Sequence, residues 1–519
     1  MEKFNIPLFK VYMSGDACNI VTSTLQSGMI TQGKKVDEFE ENLKKYFNYP
    51  YILTVNSATS GLTLAYKLCN LAIGDIVVST PLTCLATNVA IIHNNLNIKW
   101  ADTDPNTCNI DLVDAENKLT EDVRALSFVH WGGCPVDPDK VYDIKARYRD
   151  KYNRDLCVIE DCAHAFGGEY DTGRFAGSKI GTTGNISVFS LQAIKHLTTG
   201  DGGLIFLPTK ELYDRAKLLR WYGIDRNRRS LEGQDFRLEP DVPELGFKYH
   251  MNDINASIGI GNLPGIPDLL SRTRHTASIY TKTLQKLSLI KLIETIGIPS
   301  YWIYTLKVLN GHKNAFIKYL GETGIVASQV HARNDNHSSL VKYKTPLPQL
   351  DKIENEIVSI PVGWWVNSAE MNHIINTIKN FETKILYGYI IRQIRIVPDF
   401  SHYHKLIEIL IGKIALNPIR LSSMPGTIYV LEKDNEIVST ARLVIEERQQ
   451  DPIGHIEDVV TRVDSRGKGY ASAILKYLTD KAMENCYKIT LVCKPELQSF
   501  YEKCGFTEKA ITMVIRKHV

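Results

Sequence analysis

The sequence contains no run of about 18 apolar residues, so it offers no segment able to cross a bilayer as a helix. Its N-terminus, MEKFNIPLFKVYMSGD, lacks the long apolar core of a secretory leader. An excess of one charge is also missing: 61 Lys and Arg stand against 58 Asp and Glu, a formal net charge of +3. Such a balance gives no strong pull toward nucleic acid or an acidic membrane. The 10 cysteines are scattered, none lies in a C-x-x-C pair, and zinc-type ligand spacing is absent. A reducing, cytoplasmic compartment is the expectation, with no metal site. Tandem repeats and low-complexity tracts are lacking as well.

What is present is ample apolar material, 44% of 519 residues. That length exceeds one ordinary core and implies about two to four domains. Between Tyr51 and Leu207 short apolar runs alternate with helix-like stretches: YILTV, DIVVST, NIKWAD, RALSFVHW, LCVIED, NISVFS and GGLIFL. Most are β-branched or aromatic and short enough for buried strands. The alternation predicts an α/β layered domain with a mostly parallel sheet. Its last helix starts near Asn367, a cap residue with Glu370 three places on, followed by Met371, Ile374, Ile375 and Ile378 at helical spacing. ILYGYIIRQI and IRIVP read as the start of a new, strand-led unit. The boundary is placed between Glu382 and Gly388, giving domains over 1–384 and 389–519. In the second, TIYVLEKD, NEIVSTARLVIEE, HIEDVVTRV and YKITLVC read as strands, and Ala471, Ile474, Leu475, Leu478 and Ala482 as a helical apolar face.

Lys195 follows the strand NISVFS and, alone, reads as a loop lysine. Three other segments change that reading. VIED places Asp161 at the carboxyl end of a strand, where α/β sheets hold ligands. NSATSGL follows YILTV and opens a helix, so backbone N–H groups with Thr59 and Ser60 can meet a phosphate. Ser190 closes the strand before Lys195 and adds a hydroxyl. An acid, a phosphate cradle and a lysine are the requirements of pyridoxal phosphate (PLP): the acid pairs the protonated pyridine nitrogen and keeps the ring an electron sink.

With TQGKKVDEFE, NSATSGLTLAY, VIEDCAHAFGG, FSLQAIKHLTTGDGG and GFKYHMNDINASIGIGNL on the page, residues 1 to about 383 resemble the DegT-type sugar aminotransferases. The resemblance implies the fold-type I PLP-dependent transferase fold, a large α/β/α domain and a small α+β part. It also implies a sugar-amine activity with glutamate as donor, and a homodimer with shared PLP sites. It assigns Lys195 to the covalent bond with the cofactor, Asp161 to the pyridine nitrogen and His164 to the phenolate side. Thr59, Ser60 and Ser190 go to the phosphate. Lys248 stands where relatives often have an asparagine that reaches the neighbouring subunit's phosphate. Cys84 occupies the place often filled by an aromatic stacked on the ring; it reads either as a cofactor contact or as a small buried hydrophobe. RWYGIDRNRR, with Arg220, Tyr222, Arg226 and Arg228, and VHARNDNHS, with His331, Arg333 and Asn334, are nucleotide-sugar loop candidates or plain surface loops.

In the second unit, RGKGYA has the form R-x-x-G-x-A at a strand-to-helix junction, where unpaired N–H groups would meet a pyrophosphate. GHIEDVVTRVDSRGKGYASAIL, CYKITLVC and FYEKCGF resemble the GCN5-related (GNAT) acetyltransferase fold, and within it glucosamine-6-phosphate N-acetyltransferase. That resemblance implies acetyl-CoA bound by Val459, Val460 and Thr461 and by Arg466, Gly467, Lys468, Gly469, Tyr470 and Ala471. Tyr501 would protonate the departing thiolate. Glu457 and Asp458 are candidates for orienting the amine, or capped loop acids. Leu497 stands where relatives carry an asparagine that contacts coenzyme A, with Gln498 as a substitute. The expected function is amination of a UDP-linked 4-keto-6-deoxy sugar followed by N-acetylation of the new amine, of the bacillosamine or viosamine type. The alternatives are an independent glucosamine-6-phosphate acetyltransferase, or one domain serving as a non-catalytic module.

Overall fold

The computed structural model describes residues 4–225, 241–388, 390–393, 427–433, 436–446, 452–483, 485–486, 488–493 and 495–507. Two compact units divide the chain, residues 1–375 and 376–519. The division falls inside the helix Ser368–Tyr387, and Ile385–Tyr387, read above as opening a strand-led unit, are the last residues of this helix. IRIVP lies outside the described residues.

The first unit is built on seven strands: β1 (Ile52–Val55), β2 (Ile76–Ser79), β3 (Asn97–Trp100), β4 (Val123–Val129), β5 (Cys157–Asp161), β6 (Ile186–Ser190) and β7 (Gly203–Phe206). They correspond one to one with the seven apolar runs of the sequence. The sheet order is β1-β7-β6-β5-β4-β2-β3, and only β7 runs against its neighbours. Strands parallel to one another end on one edge. The segments after β1, β2, β4, β5 and β6 therefore gather there, and β7 starts there. Nearly every residue of the central strands is buried, as a sheet covered on both faces requires.

The helices covering the sheet begin with α1 (Gly15–Ser27), α2 (Lys34–Phe47), α3 (Ala58–Leu68) and α4 (Leu85–His93). In α2, Val36, Phe39, Leu43 and Phe47 face the core at helical spacing. Gly33 precedes it because a Cβ there would meet Asp253 Oδ2 at 2.8 Å. Asp253 instead accepts the Gly33 and Val36 N–H groups at 2.7 and 3.1 Å and caps the helix from a distant segment. The pairing explains why TQGKK and HMNDIN occur in one chain. The helix Ser368–Tyr387 starts in the anticipated capping box: the Glu370 N–H donates to Asn367 Oδ1 and the Asn367 N–H to Glu370 Oε2, both at 2.9 Å. A second, antiparallel sheet, β8 (Ile290–Leu292), β9 (Tyr304–Val308) and β10 (Ile357–Ile360), completes this unit.

One covalent link had no signal in the sequence spacing. Cys69, at the end of α3, and Cys157, at the start of β5, form a disulfide across 88 residues.

The second unit holds a five-stranded sheet in the order β11 (Ile390–Gln393), β12 (Thr427–Lys433), β13 (Glu436–Glu446), β14 (Ile453–Thr461) and β15 (Lys488–Leu491). The first four strands are antiparallel and β15 joins β14 in parallel. Ile474, Leu475, Leu478 and Ala482 of the helix Tyr470–Ala482 are buried in the core of this unit, as their spacing predicts. Among the described residues, no helix is long and apolar enough to cross a membrane.

Candidate active sites

In the first unit the candidate residues converge on the carboxyl edge of the sheet. Asp161 ends β5 and is almost fully buried. Its Oδ2 accepts the Thr87 hydroxyl at 2.6 Å and its Oδ1 the Ala163 N–H at 3.0 Å. Thr87 in turn pairs with Thr83 at 2.8 Å. Burial raises the Asp161 pKa, and the Thr87 and Ala163 bonds only partly offset it. No Lys, Arg or His forms an ion pair with it among the described residues. A buried, hydrogen-bonded carboxylate with no cation of its own fits a protonated ring nitrogen. Its neighbour Glu160 points to the other face of the sheet. There it accepts Thr183 Oγ1 and Asn185 Nδ2 at 2.8 and 2.6 Å and faces His130 at 3.3 Å.

Ser190 ends β6, nearly buried. Across the sheet edge α3 begins at Ala58, with Thr59 and Ser60 in its first turn. Ser57 caps it: its Oγ accepts the Ser60 N–H at 3.1 Å and lies 3.0 Å from Ser60 Oγ. The helix start can press against β7 because position 203 is glycine; a Cβ there would fall 2.7 Å from the Ala58 nitrogen. Hydroxyls and N–H groups at a helix start fit a phosphate.

Lys195 sits in the loop between β6 and β7. Burial brings its pKa down to about 7, opposed only by Cys84 and Asp161, which favour the ammonium. Cys84, just before α4, thus lies within electrostatic reach of the amine. His164 is buried after β5, and its pKa falls well below the usual value, first through desolvation and then through Lys195. The Gly132 N–H points at His164 Nδ1 at 3.4 Å, which places the ring proton on Nε2. That Nε2 lies 3.4 Å from His331 Nε2, and a neutral imidazole with an Nε2–H can turn the same proton toward a phenolate oxygen. His331 stacks on His164, with centroids 5.4 Å apart and an interplanar angle of 9°.

Other candidates stand elsewhere. Asn334 is buried with its amide spent inside the protein: Nδ2 donates to the Thr83 carbonyl at 2.9 Å, and Oδ1 accepts Asn88 Nδ2 at 2.8 Å. It fastens its loop to Thr83 and to Asn88 of α4 and offers no free group to a sugar. Arg333 pairs with Asp335, Asp351 and Glu354. Arg220 is buried against Glu40 rather than placed in a substrate loop. The exposed Lys248 lays its ammonium 4.3 Å from the Trp221 ring centroid. Arg226 and Arg228 lie outside the described residues.

Sequence reasoning missed Thr87, which gave no motif. It also missed Trp302, whose ring lies 3.3 Å from Lys195 Nζ and stacks on His164 at 4.1 Å. Thr87→Val is expected to leave Asp161 Oδ2 buried without its donor, at a cost of about 1–3 kcal/mol. Spectral titration should then show cofactor binding weakened by about tenfold or more.

In the second unit β14 pairs with β15 only from Ile453 to Ile456. From Glu457 to Thr461 its outer edge has no strand partner among the described residues, while the inner edge stays on β13. An open strand edge can accept an amide-bearing chain. The Val460 carbonyl already accepts Ser439 Oγ at 2.9 Å and the Thr461 carbonyl accepts Arg466 Nε at 3.4 Å, so of the three Val459 is the candidate whose carbonyl is not engaged by these side chains. Gly467 and Gly469 take φ of +75° and +82° with open space where a Cβ would stand, so glycine is needed there for conformation. The helix Tyr470–Ala482 follows without a side-chain cap, flanked by exposed Arg466 and Lys468. Ala471 lies in its first turn, and the buried Tyr470 accepts Lys433 Nζ at 3.1 Å. An uncapped helix start beside two cations fits a pyrophosphate. Tyr501, in the short helix Gln498–Lys503, is buried, and burial raises its pKa above the usual phenol value. Glu457 is paired with Arg442 at 2.7 Å. The Asp458 side chain lies outside the described residues.

Comparison with known proteins agrees with the two folds. Residues 12–379 match the DegT/DnrJ/EryC1/StrS aminotransferase family, and residues 397–506 match the Acetyltransferase (GNAT) family. AtS13 from Actinomadura melliaura is 41% identical in sequence; the match covers 73% of this chain and 99% of that one with a TM-score of 0.69. The sugar aminotransferase CalS13 from Micromonospora echinospora is 39% identical, over 72% and 99% of the two chains, with a TM-score of 0.68. A UDP-4-amino-4,6-dideoxy-N-acetyl-beta-L-altrosamine transaminase of Campylobacter jejuni is 30% identical over 71% of this chain and 95% of that enzyme.

Proposed function

Since the chain belongs to the DegT/DnrJ/EryC1/StrS aminotransferase family, an enzyme family that works with PLP, we propose that its first unit moves an amino group from glutamate to a UDP-linked 4-keto-6-deoxy sugar. The observation that carries this reading is Lys195: an amine with a pKa near 7, at the sheet edge where Asp161, Ser190 and the start of α3 also lie. PLP, when bound, supplies an electron sink for the carbon that exchanges its amine. Asp161 would hold the charged ring nitrogen, Thr59, Ser60 and Ser190 the phosphate, His164 the phenolate oxygen, and Cys84 a face of the ring. Lys195 would hold the cofactor covalently, and its released Nζ would carry the proton between the two carbons concerned. His331, stacked on His164, is the sugar-side candidate best placed among the described residues. Arg226 remains a candidate for the diphosphate. Lys248 is exposed in the single chain and suits the partner's phosphate in a homodimer with shared sites.

The second domain, read over 389–519, would then transfer acetyl from acetyl-CoA to the new amine. Val459 and Thr461 on the open strand edge would hold the thioester, with Val460 turned toward β13. The turn Arg466–Ala471 would take the pyrophosphate, and Tyr501 would give its proton to the thiolate. Glu457, with Asp458, would orient the amine. The C. jejuni transaminase, whose name specifies a UDP-linked amino sugar, supports the substrate class. A first test needs no sugar. Enzyme carrying PLP, mixed with glutamate alone, is expected to lose its visible band and release about one 2-oxoglutarate per subunit. Release of none would refute the aminotransferase assignment.

A further inference from the structure

Lys195 is flanked by two residues that are both tied to one distant segment. Before it, the Ile194 carbonyl accepts the Trp302 indole N–H at 2.9 Å. After it, His196 Nε2 donates to the Ser300 carbonyl at 2.9 Å. That segment is itself rigidly placed. Ser300 Oγ donates to the His164 carbonyl at 3.0 Å, and the Ser300 N–H to the Gly133 carbonyl at 3.1 Å. Gly133 must be glycine, since a Cβ would fall 2.3 Å from Ser300 Oγ. Tyr301 takes a left-handed φ of +52°. A tyrosine there is held against its preference, and the turn sends the next side chain back toward the lysine. The Trp302 ring is fixed by stacking on Phe9 at 4.9 Å and on His164 at 4.1 Å. Lys195 Nζ lies 3.3 Å from its centroid.

We infer that Trp302 is a positioning residue for amino transfer: its ring is the resting face of the Lys195 amine whenever that amine is off the cofactor, and Ser300–Trp302 fixes the lysine by gripping both of its neighbours. The inference rests on the reading of Lys195 as the cofactor lysine. A lysine has a flexible four-carbon stem, and a proton carrier that wanders loses most of its advantage. An indole face solves two problems. It gives the neutral amine one place to lie, and it offers the ammonium, formed when Nζ takes up a proton, a cation–π contact. The other groups around the amine do not supply this. Asp161 and Cys84 favour the ammonium only from a distance, and His164, His196 and His331 are all shifted toward their neutral forms.

The test compares Trp302→Leu, which keeps apolar bulk, with Trp302→Phe, which keeps a ring but loses the indole N–H. In cofactor-free protein, the rate at which an amine-acylating reagent labels Lys195, read by mass spectrometry across pH, reports the neutral fraction. Trp302→Leu is expected to lower the labelling midpoint by about one pH unit, because a cation–π contact is lost while burial stays. Trp302→Phe is expected to hold it. With PLP bound, Trp302→Leu should cut kcat for the glutamate half-reaction by about 10- to 100-fold with little change in KM, and Trp302→Phe, which keeps the ring but lacks the N–H that grips Ile194, should fall between Trp302→Leu and the unaltered enzyme. An unchanged midpoint and kcat in Trp302→Leu would overturn the proposal, as would Trp302→Phe falling as far as Trp302→Leu. If Trp302→Leu does not fold, Trp302→Met takes its place, with the same expectations. Failure of the underlying reading looks different: unaltered enzyme would then show no visible band with PLP at all.

Discussion

Lys195→Ala is expected to erase the visible absorbance of bound cofactor and to lower amino transfer by about 10⁴-fold. That is the upper end for an acid–base group, because on the reading proposed above the same side chain also tethers the cofactor. The variant should fold normally. The lysine forms no ion pair among the described residues, and its removal relieves a buried amine. Lys195→Arg should be no better, since a guanidinium stays charged and cannot accept the proton. A small added amine should restore part of the rate in Lys195→Ala, by taking the vacant place as base. The pH dependence follows from the same side chain. Burial brings Lys195 down to about 7 from an ordinary 10.5. Its neutral, basic form therefore dominates above pH 7 and is lost below it. Once Nζ is off the cofactor, the proton-transfer step should slow about tenfold for each pH unit below about 6 and level off above about 8. An unperturbed lysine would place that limb more than three pH units higher.

Tyr501→Phe is expected to lower acetyl transfer by about 10²- to 10³-fold while leaving the glutamate half-reaction unchanged. On the proposed reading the phenol serves as an acid, and burial, with Cys493 and Cys504 adding to it, raises its pKa. It therefore holds its proton across the whole neutral range, and the loss in Tyr501→Phe should be nearly constant from pH 6 to 8. Because the ring stays in place against Phe500 and Phe506, stability and the KM for acetyl-CoA should stay within about twofold. A matching loss of KM and kcat would point to a packing role instead. Measured side by side, Lys195→Ala and Tyr501→Phe should each remove one activity and spare the other.

The parts of this molecule that the sequence announces are those governed by local pattern. Seven apolar runs became seven strands because strand burial leaves a short-range signature, and Asn367 with Glu370 became a capping box because both partners lie within four residues. Lys195, Asp161, Ser190 and the start of α3 could be gathered on paper because parallel strands put their ends on one edge. What stayed hidden depends on pairs far apart in the chain. Trp302 is 108 residues from the Ile194 carbonyl that it binds, and Cys69 is 88 residues from Cys157. Neither has a periodicity to betray it. The basic loops misled for a related reason: a sequence shows charge but not its partner. Arg220 proved to be buried on Glu40, and Asn334 a fastener between Thr83 and Asn88.

On the reading proposed above, one chain makes an amine through Lys195 and acetylates that amine through Tyr501. This reading is tested most directly by incubating full-length protein carrying PLP with UDP-4-keto-6-deoxy-GlcNAc, glutamate and acetyl-CoA, and following the sugar by mass spectrometry. An acetamido sugar is expected from the unaltered enzyme, unchanged ketone from Lys195→Ala, and a free amino sugar from Tyr501→Phe. Acetylation of glucosamine-6-phosphate, with the aminated nucleotide sugar left untouched, would contradict this reading.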